Sequence, residues 1–423
     1  MLNQKDLLER RYSVLGRHSP LFYDEPLHLV RGNGVWVEDA SGRRYLDVYN
    51  NVPHVGHCHP DVVEALCRQA GMINIHTRYL HENVVAYAER LTATLHADLS
   101  VAMLTCTGTE ANELALRIAR FITGGEGIIV SDFSYHGNSA SLAAATTGLP
   151  APEALGPHVR AVPIPDLHHA DADSEALARD YATRVDEAVR SLQAAGYKPA
   201  AILLDTIFST EGLPLLPKTY LEQAVAHVRA AGGLFIADEV QPGLGRMGDH
   251  MWGHQAFDVV PDFVTMGKSL GNGHPLAALV TRPDYLDSFA AEALYFNTFA
   301  GNPVSAAVGS AVLDVIEQED LMGNARRVGA YLQKGLRALP ERHGRIASVR
   351  GRGLFFGLEF LTETKAPAAA ETRRLIDLMR ERGVLISKIG PHDNILKMRP
   401  PLPFSLENAD LLLSTLDDAI ARI

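Results

Sequence analysis

The chain has 423 residues, 47% of them hydrophobic and 21% charged, and carries a formal net charge of -11. Such a length predicts two or three domains or lobes around a sizeable core. The acidic balance argues against a nucleic-acid surface, which needs clustered Lys and Arg, and no apolar run approaches the ~18 residues of a membrane span, so neither is an expected partner.

In chain order, the charged start, with Glu9, Arg10 and Arg11, lacks the apolar stretch of a secretion signal. Residues 34–48 read as a β-hairpin around Ser41-Gly42. His54, His57, Cys58 and His59 fall within six positions and raise a metal reading. Tetrahedral zinc sites draw ligand pairs from two elements, however, so a loop before a helix starting near Pro60 is expected, and no metal. Cys58, Cys67 and Cys106 are too few for a disulfide framework and lack C-x-x-C spacing. A reducing, cytoplasmic setting is expected, with the cysteines as packing residues.

Residues 105–113 open a helix whose apolar positions Ala111, Leu114, Ala115 and Ile118 keep the 3.6 period, and Thr107 with Glu110 forms a capping-box pattern. Short apolar runs at 127–130, 200–204, 234–237, 263–266 and 277–280 then alternate with helical patterns. This predicts an α/β fold with a mostly parallel sheet covered by helices on both faces. From about residue 310, long helices precede strands at 349–360 and 395–401, the pattern of a smaller α+β lobe, with 365–372 as a loop entering a helix. The expected division is 1–60 as the N-terminal segment of the small lobe, 61–309 as the large domain and 310–423 as the C-terminal small domain.

A ligand site is expected at the carboxyl ends of parallel strands, where Asp205, Asp238 and Lys268 fall. An acid closing one strand and a lysine closing the next suit pyridoxal phosphate (PLP). A carboxylate raises the pKa of the pyridine nitrogen, and a partly desolvated lysine can hold the aldehyde as a Schiff base. Gly108 and Thr109 at a helix start offer N–H groups and a hydroxyl to a phosphate. Tyr135 or His136, just after a strand, can stack on the ring, with Val240 on the opposite face and Gln241 at the phenolic oxygen. Thr298 supplies another hydroxyl before a helix start. Arg350 and Arg352 bracket a glycine before a strand and read as structural.

Together, residues 108–113, Tyr135-His136-Gly137, Asp238-Glu239-Val240-Gln241, Gly267-Lys268 and residues 297–303 resemble the class III PLP-dependent aminotransferases over nearly the whole chain. The resemblance implies a PLP-dependent transferase of fold type I, acting as a homodimer or a pair of dimers with active sites at the subunit interface. It implies that Lys268 carries PLP, Asp238 pairs with the pyridinium, and Thr298 reaches the phosphate of the partner's cofactor. Residues 54–60, 77–82 and 266–275 look most like the ethanolamine-phosphate phospho-lyase branch, beside the alanine:glyoxylate type of aminotransferase.

A lyase of that branch expels phosphate from an amine phosphate such as O-phosphoethanolamine, leaving an aldehyde and ammonia. The alternative is transfer of a terminal amine to an oxo acid such as pyruvate, glyoxylate or 2-oxoglutarate; a non-catalytic PLP-binding protein would lack the lysine or the acid. Lys268 is the general base in both reactions. Many class III aminotransferases carry Glu-Pro-x-x-Gly-Glu-Gly-Gly after the strand that ends here at Leu204. In this chain Thr210 stands in the place of the second glutamate and Glu211 is one position on. Arg399 matches the family's carboxylate-binding arginine, and its fork suits a carboxylate or a phosphate. Arg78, His76 and Lys397 are the further cations expected for a substrate dianion.

Overall fold

The computed structural model describes residues 4–150, 154–170 and 173–423. At its centre lies a seven-stranded sheet. In spatial order its strands are Val101–Thr105, Ala277–Thr281, Phe263–Met266, Leu234–Asp238, Pro199–Asp205, Gly127–Ser131 and Val159–Val162. Ala277–Thr281 runs antiparallel to both neighbours, and the other pairings are parallel.

Side chains alternate between two faces along each strand, which is why continuous apolar runs were needed. Ile128, Val130, Ala201, Leu203 and Ile236 pack against Leu114, Ala115 and Ile118 of the helix Gly108–Thr123. Ile129, Ile202, Leu204, Phe235 and Ala237 face the helices Ser174–Ala194 and Tyr220–Ala230 on the other side. All ten strand residues are fully buried. Each of the larger ones contributes roughly 1.5–3 kcal/mol of burial, so the sheet is a rigid platform for whatever stands at its edge.

The hairpin near the N-terminus forms from Trp36–Asp39 and Arg44–Asp47. Its turn is closed by Asp39 Oδ1, which accepts from the N–H groups of Ser41 at 2.9 Å and Arg43 at 3.1 Å, with Gly42 at φ +88°. Leu29–Asn33 adds a strand on one side, and Val384–Leu385 from the far end of the chain adds a parallel strand on the other. A second small sheet holds Ile346–Arg352, Phe355–Phe360, Ile395–Met398 and Ser387–Ile389. The N- and C-terminal segments therefore interleave in one α+β lobe.

Two expectations need correction. Arg350 and Arg352 do not precede a strand but end one, Ile346–Arg352, which pairs antiparallel with Phe355–Phe360 because Gly353 at φ +56° turns the chain back. Cys58 and Cys67 are exposed and only Cys106 is half-buried, so the packing role fails for the first two. The helix Pro303–Gln318 is capped by Asn302, which accepts from Ser305 N at 2.9 Å.

The histidines before Pro60–Ala70 point to separate partners. His54 Nε2 meets Leu244 O at 2.6 Å, His57 Nε2 meets Asp47 at 2.7 Å, and His59 Nε2 meets Glu319 at 3.0 Å. Among the described residues no group of three or more His, Cys, Asp or Glu side chains is arranged to hold a metal ion. Among them also no helix is long and apolar enough to cross a membrane.

Candidate active site

One cavity opens at the carboxyl end of the central strands. Gly108, Thr109, Tyr135, His136, Asp238, Val240, Gln241 and Lys268 all line it, together with Asp205, Asn112 and Gly137. Thr298 does not; it is exposed. Of the four substrate cations, Lys397 and Arg399 reach Gln241 at the cavity wall. Arg78 and His76 pack instead on Phe296, the Arg78 guanidinium 3.8 Å from the ring centroid.

The helix Gly108–Thr123 begins as its sequence demands. Thr107 Oγ1 accepts from Glu110 N, and Glu110 Oε2 accepts from Thr107 N, a reciprocal capping box. That leaves the N–H groups of Gly108 and Thr109 with no acceptor inside the helix, at its positive end. A side chain at Gly108 would place its Cβ 2.8 Å from Val240 Cγ2, so only glycine lets the helix start approach the cavity floor this closely.

Asp238 closes its strand almost fully buried and accepts three hydrogen bonds. His136 Nδ1 at 2.8 Å and Asn112 Nδ2 at 2.9 Å meet Oδ2, and Val240 N at 3.0 Å meets Oδ1. Asn112 also donates to His136 O at 2.8 Å, and Thr265 Oγ1 donates to Asn112 Oδ1 at 2.5 Å. The chain Thr265–Asn112–Asp238–His136 fixes the carboxylate and leaves Oδ1 able to accept one more donor. His136 Nε2 is buried and unpartnered. Sequence reasoning gave Asn112 no role. Its signal was there, a polar residue inside the apolar face of a helix, which burial obliges to find partners.

Lys268 follows the strand Phe263–Met266 with φ +36°, in a left-handed turn that stands it up into the cleft. Its side chain is accessible within the cavity, yet protein surrounds it. Desolvation, and next the Arg399 guanidinium, lower its pKa below the ordinary lysine value, while Asp238 and Asp205 pull the other way. Burial and the charge of Asp238 lift Asp205 to about 6, against the hydrogen bond from Ser209.

A fall in pH protonates Lys268, so cofactor attachment should slow as pH drops through this lowered pKa. Arg399→Met removes a depressing cation and should move that fall to higher pH. The rate of appearance of the visible cofactor band in apo-protein, measured against pH, checks the direction.

Lys397 and Arg399 are both buried. The Arg399 guanidinium donates to Gln241 Oε1, and Lys397 Nζ lies 3.4 Å from the same oxygen. Gln241 thus spends its oxygen on the cations and keeps its amide N–H groups for the cavity. Burial, then Arg399 and Lys268, push Lys397 well below the usual lysine range, and burial lowers Arg399 to about 10. Glu211 does not grip Arg399. Its Oε1 accepts from Ser131 Oγ, and burial pushes its pKa well above the usual carboxylate range.

An anion cradle, a buried carboxylate with a lone pair to spare and a desolvated lysine in one cavity fit a phosphorylated pyridine aldehyde. The family model for class III aminotransferases matches residues 22–420. The chain belongs to the class III aminotransferases. It is a PLP-dependent enzyme of fold type I. It is 39% identical to the Drosophila melanogaster alanine–glyoxylate aminotransferase 2-like protein, covering 97% of this chain and 86% of that one. It is 34% identical to the Caenorhabditis elegans ethanolamine-phosphate phospho-lyase homolog 1, covering 99% and 94%. Among solved structures it superposes with a TM-score of 0.97 on a phospholyase from Arthrobacter in complex with phosphoethanolamine. That protein is 55% identical, with 99% of this chain and 100% of that one covered.

Proposed function

We propose that this class III enzyme eliminates phosphate from O-phosphoethanolamine or a close amine phosphate, leaving an aldehyde and ammonia. The observation that carries the reading is the pair of buried cations, Lys397 and Arg399, beside Gln241. Among the described residues neither has a carboxylate within ion-pair distance. Their partners, Gln241 and the Phe355 ring, are neutral, and burial with mutual repulsion disfavours the Lys397 charge; a phosphate dianion would supply the missing anion and restore that charge. The likeness to the Arthrobacter phospholyase supports the same substrate class.

In this reading Gly108 and Thr109 hold the PLP phosphate, Asp238 faces the ring nitrogen, and Tyr135, His136 and Val240 bound the ring. Gln241 donates to the phenolic oxygen. PLP, when bound, ties the substrate amine and draws electrons from its neighbouring carbon. Lys268 Nζ takes the proton from that carbon, a role its lowered pKa suits near neutral pH. Lys397 and Arg399 hold the phosphate as its bond to carbon breaks, and the electron pair leaves on the phosphate oxygen.

We also propose a homodimer with the active site at the interface. Leu80 is 100% exposed, Leu294 88% and Phe299 73%, a set of large apolar side chains beside Thr298 and the Arg78–Phe296 stack. Burying that set against a second copy would remove it from water and bring Thr298, Arg78 and His76 to the partner's cavity. The unpaired cysteines support a cytoplasmic location.

The aminotransferase reading keeps one specific support, the Arg399 fork, which suits an oxo-acid carboxylate as well. Selectivity separates the two. Two charge-assisted contacts to phosphate should favour phosphoethanolamine over ethanolamine by about 100-fold or more in kcat/KM. Lys397→Met should erase most of that preference. Equal rates on both amines would remove the phosphate from the reading.

The cradle makes its own prediction. Gly108→Ala should weaken PLP binding by about tenfold, since the 2.8 Å approach to Val240 forces the helix start or the ring wall to move. Equilibrium dialysis of PLP against apo-enzyme checks it, and unchanged affinity would place the phosphate elsewhere.

A further inference from the structure

We propose that His54 is a positioning residue for the substrate: residues 54–56 tie three walls of the cleft together, and the His54 ring, acting through Arg246, sets where Arg399 stands. The inference rests on the reading of Arg399 as the holder of the substrate's anion, which elimination and amine transfer share.

Each wall reaches this segment by a hydrogen bond of its own. Asn272, which caps the turn that begins at Lys268, accepts from Val55 N at 2.9 Å and donates to Gly56 O at 2.9 Å. Leu244, in the segment that follows Gln241, accepts at its carbonyl from His54 Nε2 at 2.6 Å. Leu402, just beyond Arg399, donates its N–H to His54 O at 2.7 Å. The histidine run that resembled a metal site therefore begins with a brace.

The two ring nitrogens of His54 have different tasks. Donation to Leu244 O puts the proton on Nε2 and leaves a lone pair on Nδ1, which faces Arg246 Nη2 at 3.0 Å. Burial and the Arg246 guanidinium push the His54 pKa well below the usual histidine value, so this lone pair stays free to accept near neutral pH. Arg246 is itself fully buried, and its Nη1 donates to Leu354 O at 3.2 Å and to Pro400 O. Pro400 follows Arg399 directly. Leu354 precedes Phe355, whose ring centroid lies 5.2 Å from the Arg399 guanidinium carbon. Without the imidazole, Nη2 would be a buried donor deprived of its acceptor; Arg246 would turn toward another carbonyl and release Pro400. His54 and Arg246 touch neither substrate nor cofactor in this arrangement. They act on the backbone beside Arg399.

Inorganic phosphate, titrated calorimetrically into the PLP-loaded enzyme, is the probe. Arg399→Met should weaken its binding about tenfold or more, the loss of a charge-assisted contact. His54→Leu keeps the bulk and the backbone contacts but removes both ring nitrogens, and should weaken phosphate about tenfold. The visible cofactor band should hold steady in this variant, because Asn272 still grips the backbone of residues 55 and 56. His54→Asn can place its amide oxygen where Nδ1 stands, and should return affinity to within about threefold of the parent. A residue that merely filled space would give the opposite order, since leucine fills the site and asparagine does not.

Parent-like phosphate affinity in His54→Leu, a loss that asparagine fails to reverse, or disappearance of the band in His54→Leu would each overturn the proposal. Unchanged affinity in Arg399→Met, or no binding by the parent, would instead remove the anion-holding reading of Arg399 and the inference with it. Because binding is read without turnover, an enzyme that shows the expected pattern yet eliminates no phosphate from phosphoethanolamine would sink the lyase reading and leave the role of His54 standing.

Discussion

Replacing Lys268 with alanine should cut turnover by about 10³-fold or more and remove the visible band of lysine-bound cofactor. The residue is asked to do two things, to hold PLP covalently and to move a proton, and general-base catalysis alone supplies roughly 10²–10⁴-fold. Its place supports both. The left-handed turn at φ +36° aims the side chain into the cleft, and desolvation with Arg399 frees the amine of its proton at lower pH than an ordinary lysine. Alanine keeps the strained backbone, about 1–3 kcal/mol at such a position, so the fold should lose little while the chemistry is lost.

The competing amine is Lys397, which meets Gln241 at the wall of the same cavity with an even stronger downward push. Lys397→Met should keep the band. If Lys268→Ala kept it and Lys397→Met lost it, the assignment of the two lysines would have to be exchanged.

Asp238→Asn should lower kcat by roughly 10²–10³-fold, the range for removing a preorganised charge at a reacting centre, while retaining part of the bound PLP. The amide is nearly the size of the carboxylate but cannot hold a proton on the ring nitrogen. It also disturbs the network behind it. Oδ2 now accepts from His136 and Asn112 together, whereas an asparagine nitrogen at that position would meet donors on both sides. Thr265 orients Asn112 through its oxygen, so the amide of Asn112 cannot simply flip to compensate. Steady-state kinetics with the visible spectrum followed against pH measures both effects. A variant with near-normal kcat would remove the argument for charge at the ring nitrogen.

The inner strands of the sheet were readable because each is a short continuous apolar run, the pattern of a strand buried on two faces. The outer ones escaped. Val101–Thr105 is only partly buried along most of its length, and its Val-Ala-Met-Leu composition suits a helix as well. Val159–Val162 is four residues long with Arg160 in it. The strand Ile346–Arg352 went unread because Arg350, Gly351 and Arg352 at its end look like a loop leading into Phe355–Phe360.

In the site, Lys268 and Asp238 were visible from position alone, since both close strands where a ligand must bind. The support of Asp238 was not. Asn112 finds His136 at a separation of 24 positions, Asp238 at 126 and Thr265 at 153, and no local pattern announces contacts of that span. Glu211 shows the same limit. Its one-place offset was plain in the sequence, but its attachment to Ser131, 80 positions away, belongs to the fold. Arg78 and His76 came only through family resemblance, and within one chain they lie apart from the cavity.

The account turns on what becomes of the cofactor when the substrate is an amine phosphate. PLP-loaded enzyme mixed with excess O-phosphoethanolamine and no oxo acid should release many equivalents of phosphate per active site, with matching ammonia, and should end with its cofactor still in the aldehyde form. Release of no phosphate, with the cofactor converted once to its pyridoxamine form, would contradict elimination and make Arg399 a clamp for an oxo acid.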